Sequence, residues 1–342
     1  MSPVDSHSMG GKLDPEALAA VLDRTGGLDE DVLVGPAYGE DAAVIDLGDE
    51  RLVVSSDPIS LAAERIGTLG VHVACNDVAV GGADPEYLTA VLLVPSEAGD
   101  GVAPTGGEGS DDSIETIMAD VEREASALDV SIVGGHTEYV DQLDRPLLSM
   151  TAMGRTDRAI PTGGAEPGDR LVLTKGAGIE ATAILATDFR EDLEGVSAGT
   201  LDRAAEFFED LSVVPDARVL REYATAMHDP TEGGVFDGLI ELAAASEVEL
   251  VVESATIPIR EETARLCTAM DVDPLHAFGS GAALATVREE DVADALAALA
   301  DVGIEAAEIG TVRAADEPAL VLDGERHTDP AREALYALWD DT

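Results

Sequence analysis

The stretch Asp229-Pro230-Thr231-Glu232-Gly233-Gly234 is the strongest of five short motifs that are rich in Gly, Asp and Asn. Each motif lies on or beside a predicted strand or helix. Aspartates in such places can hold magnesium, and glycines let the backbone approach a phosphate closely. One motif alone could be an ordinary turn, but the series predicts a nucleotide triphosphate site. The other four motifs are Gly39–Ala43, Ser55–Pro58, Asn76-Asp77 and Gly134–Thr137.

Four aspartates are the candidate magnesium ligands. Asp41 precedes a short apolar strand, and Asp57 is predicted just past the end of the strand Leu52–Ser56. Asp77 follows Asn76 inside an apolar helix, where polar groups are costly to bury unless something binds them. Each could instead be a solvated or capping residue. The four candidate metal ligands are Asp41, Asp57, Asp77 and Asp229.

Glycine-rich turns supply the candidate nucleotide contacts. Thr231 is predicted to cap the helix that follows it, and a helix N-terminus with two glycines can bind an anion. A second turn, Gly134–Thr137, is predicted to follow the strand Ser131–Val133. A capped structural turn is the alternative in both places. The candidate cofactor-binding residues are Asn76, Gly134, Gly135, Thr137, Thr231, Gly233 and Gly234.

Two basic side chains are the candidate catalytic residues. His136 lies in the Gly134–Thr137 turn, although an isolated histidine is more often structural. Lys175 ends the strand Arg170–Thr174 and precedes a Gly-rich segment, where a phosphate contact or a surface position would both fit. The only other lysine is Lys12, which we expect to belong to an N-terminal tail, residues 1–12.

The charge balance excludes several classes of partner. The 342 residues carry 70 acidic and 20 basic side chains, a formal charge of −50. No Lys/Arg cluster suits nucleic acid or an anionic membrane, and no apolar run is long enough to span a bilayer. Acidic excess with so little lysine favours a cytoplasmic protein of a salt-loving cell, because it keeps the surface hydrated in concentrated salt. Disorder is the alternative, but periodic apolar patterns argue against it.

The order of motifs resembles the PurM superfamily, named for aminoimidazole ribonucleotide (AIR) synthetase, which includes thiamine-monophosphate kinase and the hydrogenase maturation factor HypE. The resemblance implies an α+β, PurM-like two-domain fold. It implies a dimerising N-terminal sheet domain, a C-terminal α/β sandwich, and Mg²⁺-ATP in a cleft. The matching stretches are Gly39–Ile45, Val53–Pro58, Ala74–Pro85, Val133–Thr137, His228–Ala244 and Phe278–Val287. The expected divisions are 1–35 (tail and helix), 36–158 (ATP-binding domain) and 165–342 (C-terminal domain).

Asn76–Pro85 and Asp229–Gly234 resemble the HypE-like, AIR synthase-related branch most closely. That branch implies an ATP-dependent enzyme that activates an oxygen of a small-molecule or protein carboxamide acceptor. A nucleotide-binding maturation partner without turnover and a thiamine-monophosphate kinase-like phosphotransferase are the alternatives. HypE carries a C-terminal cysteine, whereas this chain ends Trp339-Asp340-Asp341-Thr342. His136 stands where several branches have the aspartate of Gly-Gly-Asp-Thr.

The charge of −50 predicts that stability depends on salt. Repulsion between carboxylates grows as the Debye length rises from about 3 Å at 1 M to about 30 Å at 0.01 M. The melting temperature should therefore fall when salt is lowered, and saturating Mg²⁺-ATP should partly restore it. Calorimetry across this salt range is the measurement. A melting temperature that stays constant would contradict the prediction.

Overall fold

The computed structural model describes residues 11–60, 65–96 and 110–340, and these form two mixed sheets with helices packed on them. The Gly- and acid-rich stretch 96–112 is predicted from its composition to be a surface loop, and most of it lies outside the described residues. No helix in the described part is long and apolar enough to cross a membrane.

Six strands make the first sheet, in the order β1-β2-β3-β6-β4-β5. Neighbours pair antiparallel except β4 and β5, which are parallel. Three helices, α1 to α3, belong to this half. The strands are β1 (Val32–Val34), β2 (Ala43–Asp46), β3 (Arg51–Ile59), β4 (Asp84–Pro95), β5 (Ser131–Val140) and β6 (Leu147–Thr156). The helices are α1 (Pro15–Leu22), α2 (Ile66–Val80) and α3 (Ser110–Ala127).

The second sheet has seven strands, in the order β13-β12-β9-β11-β7-β10-β8. Its strands are β7 (Arg170–Thr174), β8 (Ala224–His228), β9 (Glu249–Val252), β10 (Leu284–Val287), β11 (Ala306–Arg313), β12 (Ala319–Leu322) and β13 (Glu325–His327). Its helices are α4 (Ile179–Thr187), α5 (Ala198–Ala205), α6 (Val214–Leu220), α7 (Gly234–Ser246), α8 (Glu261–Ala269), α9 (Val292–Asp301) and α10 (Tyr336–Asp340).

Helix α2 is buried along its whole length and forms the centre of the first half. Its side chains pack against β3, β6 and α3. The buried cluster that contains it is made mostly of small and aliphatic residues such as Val78, Leu88 and Leu148, in keeping with an aromatic content of 3%. Polar side chains on such a helix need partners, because burying them without a hydrogen bond is costly.

The Asn76 side chain finds its hydrogen-bond partners in the backbone of the second half and so links the two halves. Its Nδ2 donates to the Leu211 carbonyl at 2.9 Å, and its Oδ1 accepts from the Val213 amide at 2.8 Å. At the start of β4, Asp84 receives hydrogen bonds from Arg218 and Arg221 of the second half. These contacts hold α6 and the segment before it against the first half.

The two-sheet architecture confirms the predicted α+β, PurM-like fold class. The sequence of residues 215–227 favours one continuous helix, and this prediction is wrong: the helix ends at Leu220, and Ala224–His228 is strand β8. Ala224, Ala226 and Met227 pair with β10 in the sheet, and this pairing overrides the local helical preference of alanine and methionine. Strand β8 matters for the site because Asp229 directly follows its last residue, His228.

Candidate functional site

A cleft of about 460 Å³ lies where the two halves meet. Its walls come from β3 and α2 on one side and from the segments after β8 and β7 on the other. Asp41, Asp57 and Asp77 line it, and Thr231, Glu180 and Ser280 face them. The volume falls within the range of ordinary small-molecule sites.

Three of the predicted aspartates meet in this cleft. Asp77 lies on the buried helix α2, and Asp57 lies within β3, not past its end as predicted. The Ser55 hydroxyl is 2.6 Å from Asp77 Oδ2 and 2.9 Å from Asp57 Oδ2, so it holds the two carboxylates side by side. Asp41 comes from the loop before β2, and its Oδ2 accepts from the Thr162 hydroxyl at 3.2 Å.

Asp229 completes the group from the second half. Its amide donates to Asp41 Oδ2 at 3.4 Å, so the two residues are neighbours. The side chain is buried, and neither carboxylate oxygen makes a hydrogen bond of normal geometry, although the Asn76 amide lies close enough to act on its pKa. A buried acidic group without such a bond is unusual and calls for an explanation such as an ion.

Burial and repulsion between the carboxylates raise the pKa values of Asp77 and Asp229. The pKa of Asp77 is raised well above its ordinary value by burial, and then by the charges of Asp57 and Asp41. Burial and the charge of Asp41 likewise raise the pKa of Asp229. A divalent cation between these carboxylates would remove both penalties. The donor set, all carboxylate oxygens, is the kind that Mg²⁺ prefers.

Within the described ranges, no three or more His, Cys, Asp or Glu side chains are arranged so that they could hold a metal ion. A magnesium ion at this place would therefore need oxygens of phosphate and water among its ligands. The orphaned oxygens of Asp229 and the repulsion around Asp77 are the two observations that fit a cation here.

Sequence reasoning missed a buried charge chain behind these aspartates. His228 Nδ1 is 2.8 Å from Asp41 Oδ2, and its Nε2 is 3.1 Å from Glu241 Oε2. Burial would lower the pKa of His228, but Asp41 and Glu241 outweigh it and raise that pKa to about 10. An imidazolium therefore fixes the Asp41 side chain. Only the spacing of His228 and Glu241 on either side of the Asp229 motif could have suggested it.

Lys12 ends the charge chain and corrects the prediction of a free N-terminal tail. Its Nζ is 3.1 Å from Glu241 Oε1, and its amide donates to Glu232 Oε1 at 2.7 Å. Nearly half of the side chain remains exposed to the cleft, which it lines. Because lysine is rare in this chain, the position of Lys12 was the sequence signal that could have indicated this role.

The predicted anion cradle at Thr231, Gly233 and Gly234 is already occupied by the protein's own atoms. The Gly233 amide donates to Glu333 Oε2 at 2.9 Å, and the Gly234 amide donates to the Thr231 carbonyl at 3.1 Å. Helix α7 has Gly233 as its N-cap and no side-chain cap, so the predicted Thr231 cap is wrong. The two left-handed glycines shape the turn, since φ is positive at both. Thr231 still lines the cleft.

Residues 134–137 do not form the predicted turn. They belong to β5, because this segment pairs in parallel with β4 over its length. A Cβ at Gly135 would collide with the Ala90 carbonyl, so glycine allows the strands to approach. His136 is exposed and lies 3.3 Å from Glu138 Oε2. Gly134, Gly135, His136 and Thr137 are not among the residues that line the cleft.

Two further predicted residues are engaged elsewhere. Lys175 Nζ donates to the carbonyls of Asp210 and Ser212 at 3.0 and 2.7 Å, and it pairs with buried Asp216 at 3.2 Å. The lysine thus neutralises an internal carboxylate. Asn76 uses its amide to join the two halves, as described above.

Residues 39–156 match the protein family described as "AIR synthase related protein, N-terminal domain", and residues 166–323 match the family of the corresponding C-terminal domain. The chain belongs to the AIR synthase related protein family. This result confirms the resemblance to the PurM superfamily.

Three curated relatives show the range of names within the AIR synthase related family. A carbamoyl dehydratase HypE of Cupriavidus necator is 33% identical over 77% of this chain and 73% of its own. A Methanocaldococcus jannaschii protein named for hydrogenase expression/formation is 28% identical over 83% and 82%. A thiamine-monophosphate kinase of Halobacterium salinarum is 31% identical over 82% and 88%.

Solved structures share the fold. ThiL complexed with AMPPCP and TMP aligns with a TM-score of 0.72 at 18% identity, covering 94% of this chain and 97% of that one. HypE in complex with ATP aligns with a TM-score of 0.65 at 22% identity, covering 93% and 91%. The HypE–HypF complex gives 0.70 at 22% identity, covering 92% and 99%. These identities establish the shared fold of the AIR synthase related chains.

The buried acids predict how stability depends on pH. Burial raises the pKa of Asp237 and Glu180 to about 7 and that of Glu333 to about 8. The folded protein therefore holds more protons than the unfolded chain up to that range, and its unfolding free energy falls as pH rises. His228 acts in the same direction: its stabilisation is complete below its ordinary pKa and is lost as pH approaches about 10. Glu241, whose pKa is lowered to about 2, loses its contribution only as pH falls below its ordinary range.

We expect the ligand-free protein in molar KCl to melt at a higher temperature at mildly acidic pH than at pH 8. Asp237→Asn should flatten this slope because it removes one of the shifted protons, whereas the exposed Glu290→Gln should leave it unchanged. Thermal melts across the pH series measure both. A melting temperature that rises toward pH 8 would contradict the assignment.

Proposed function

We propose that this chain is an ATP-dependent enzyme that binds Mg²⁺-ATP in the cleft and transfers the γ-phosphoryl group to an oxygen of an acceptor. One observation carries the proposal: four carboxylates from both halves converge, and one of them, Asp229, is buried without a hydrogen bond of normal geometry. ATP or an analogue is bound in solved relatives of the same fold, which supports the choice of nucleotide. The relatives named carbamoyl dehydratase support an acceptor of carboxamide type.

The chain's own residues supply positioning and charge. Asp41, Asp57, Asp77 and Asp229 would hold the magnesium, which when bound neutralises phosphate charge. His228 holds the Asp41 carboxylate in place through its 2.8 Å contact. Phosphoryl transfer needs such positioning more than it needs a covalent nucleophile on the protein.

Lys12 is the candidate cation for the phosphates. It is the one basic residue among those that line the described cleft. The glycine amides once expected to meet the phosphates are bonded within the protein, so this ammonium is the better candidate.

The buried, unpaired cysteines Cys75 and Cys267 fit a cytoplasmic setting for this reaction.

Removing a metal ligand should weaken nucleotide binding. Asp57→Asn and Asp229→Asn should each raise the Kd of Mg²⁺-ATP by about 10-fold or more, because charge-assisted contacts are worth about 1.5–3 kcal/mol. Titration calorimetry in molar KCl measures the Kd, and the exposed Asp294→Asn is the matched control. Unchanged affinity in both site variants would refute the ligand assignment. ADP release by the wild type tests for turnover.

We also propose that the protein is a homodimer through β5. This ten-residue strand lies at a sheet edge and is exposed along nearly its whole length. Ile132 and Val133 are 40% and 55% exposed. A long exposed edge with apolar side chains is a pairing surface unless another chain covers it.

Light scattering should therefore give twice the chain mass of 35.3 kDa. Val133→Glu should shift the protein toward monomer, because it places a charge at the pairing surface. The exposed Val302→Glu on the other half is the control and should leave the dimer intact. A wild-type monomer at micromolar concentration would contradict the proposal.

A further inference from the structure

Lys12 lies between a buried carboxylate and the open cleft. Its Nζ is 3.1 Å from Glu241 Oε1, and its side chain is 47% exposed against 7% for that of Glu241. Lys12 lines the cleft, whereas Glu241 is not among the lining residues. The ammonium can therefore pair with two kinds of anion, which are the glutamate behind it and a phosphate in the cleft.

Glu241 keeps a partner when the lysine moves away. Its other oxygen, Oε2, is 3.1 Å from Nε2 of the buried His228. Breaking a buried ion pair is costly mainly because it leaves one charge without a partner. The contact with His228 lowers this cost, so Lys12 can leave Glu241 without orphaning a buried carboxylate.

The backbone at Lys12 is held in place, which leaves its side chain to move. The Lys12 amide donates to Glu232 Oε1 at 2.7 Å. The preceding residue, Gly11, has a φ of +128°, and a Cβ there would lie 2.5 Å from Glu232 Oε1 and 2.9 Å from the Tyr336 ring. Glycine therefore lets the chain enter the cleft at one defined place, and the flexible stem of the lysine lets the ammonium change partners.

The metal aspartates lie near this ammonium. Partial burial lowers the pKa of Lys12, but the charges of Glu241, Asp41 and Glu232 outweigh it and raise that pKa. Asp41 also lines the cleft. A phosphate that binds near Asp41 would therefore compete with Glu241 for the same ammonium.

We infer that Glu241 is the resting partner of Lys12, and that the ammonium passes from Glu241 to the phosphates when the nucleotide binds. Glu241 is then a positioning residue, because it holds the ammonium at the edge of the cleft and competes with the nucleotide for it. This inference rests on the proposed function and adds the residue that sets the resting position of the cleft's cation. No covalent bond changes, because one ion pair replaces another.

Lysine NMR follows this exchange directly, because the chain contains only two lysines. The full chain is labelled with lysine that carries ¹³C at Cε and is studied in molar KCl, and Lys12→Met assigns the two signals. Saturating Mg²⁺-ATP should shift the Lys12 signal and leave that of Lys175, whose Nζ pairs with Asp216 at 3.2 Å. In Glu241→Gln, the Lys12 signal should differ from the wild type before ATP is added and approach it at saturation.

Nucleotide affinity tests the competition. Glu241→Gln should lower the Kd of Mg²⁺-ATP by about 3-fold, because the ion pair that competes for Lys12 is gone. In a Lys12→Met background the same substitution should leave the Kd unchanged. The exposed Glu290→Gln is the matched control and should have no effect in either background. Titration calorimetry in molar KCl measures these values.

The other roles that Glu241 could have give different results. A Kd that falls equally in the Lys12→Met background would show that Glu241 only repels the nucleotide, and would overturn the exchange. A Kd that rises or stays constant in Glu241→Gln would overturn it as well, because Glu241 would then not compete. Melting temperatures show whether each variant is folded, and the wild-type NMR titration does not depend on any variant of Glu241.

The two proposals fail in different ways. A wild-type chain that does not bind Mg²⁺-ATP would overturn the proposed function. A chain that binds Mg²⁺-ATP with an unchanged Lys12 signal would overturn the exchange alone.

Discussion

Repulsion between buried carboxylates is the constraint on which the rest of this structure depends. Asp77 and Asp229 are buried, and Asp41 and Asp57 lie half-buried near them, so the charges repel one another with little screening. The raised pKa of Asp77 reflects this cost. Such a group persists only if the surrounding fold holds it in place. Three side chains do this here. Ser55 lies within hydrogen-bond distance of Asp57 and Asp77, and His228 contacts Asp41. Asn76 fixes the two halves against each other. The clustered carboxylates that suit the site to a cation therefore also destabilise the fold, and a bound cation would reduce their repulsion.

Local patterns in the sequence predicted the α+β fold class and indicated the four aspartates, whose role as metal ligands stays a prediction. Apolar periodicity defined most elements, and Asp41, Asp57 and Asp77 line the cleft as neighbours of Asp229. Prediction failed where distant contacts decide. β8 is a strand because β10 pairs with it, and residues 134–137 are strand because β4 does. Lys175 and Asn76 looked like ligand contacts because an isolated sequence cannot show that Asp216 and the backbone near Leu211 already occupy them.

The missed residues share a physical reason as well. Lys12, His228 and Glu241 form one ion-paired chain that is assembled from three separate parts of the sequence. No local spacing rule marks residues that lie 229 positions apart, as Lys12 and Glu241 do. Composition gave a signal for Lys12, because a chain with 20 basic residues contains only two lysines. In so acidic a protein, each buried cation has a carboxylate to neutralise, so its position indicates where negative charge has been concentrated.

Both ends of the described chain meet at the same turn, and this arrangement links the fold to the site. Glu232 accepts from the Lys12 amide at 2.7 Å and from the Tyr336 hydroxyl at 3.0 Å, and Glu333 accepts from the Gly233 amide. The turn that carries Asp229 is thereby tied to the segment before α1 and to α10. Lys12 and Tyr336 also line the cleft, so the contacts that steady the turn also close one side of the site. The amides of a glycine-rich turn, which elsewhere can meet a phosphate, serve here to fasten the chain, and Lys12 is left as the cleft's own positive charge.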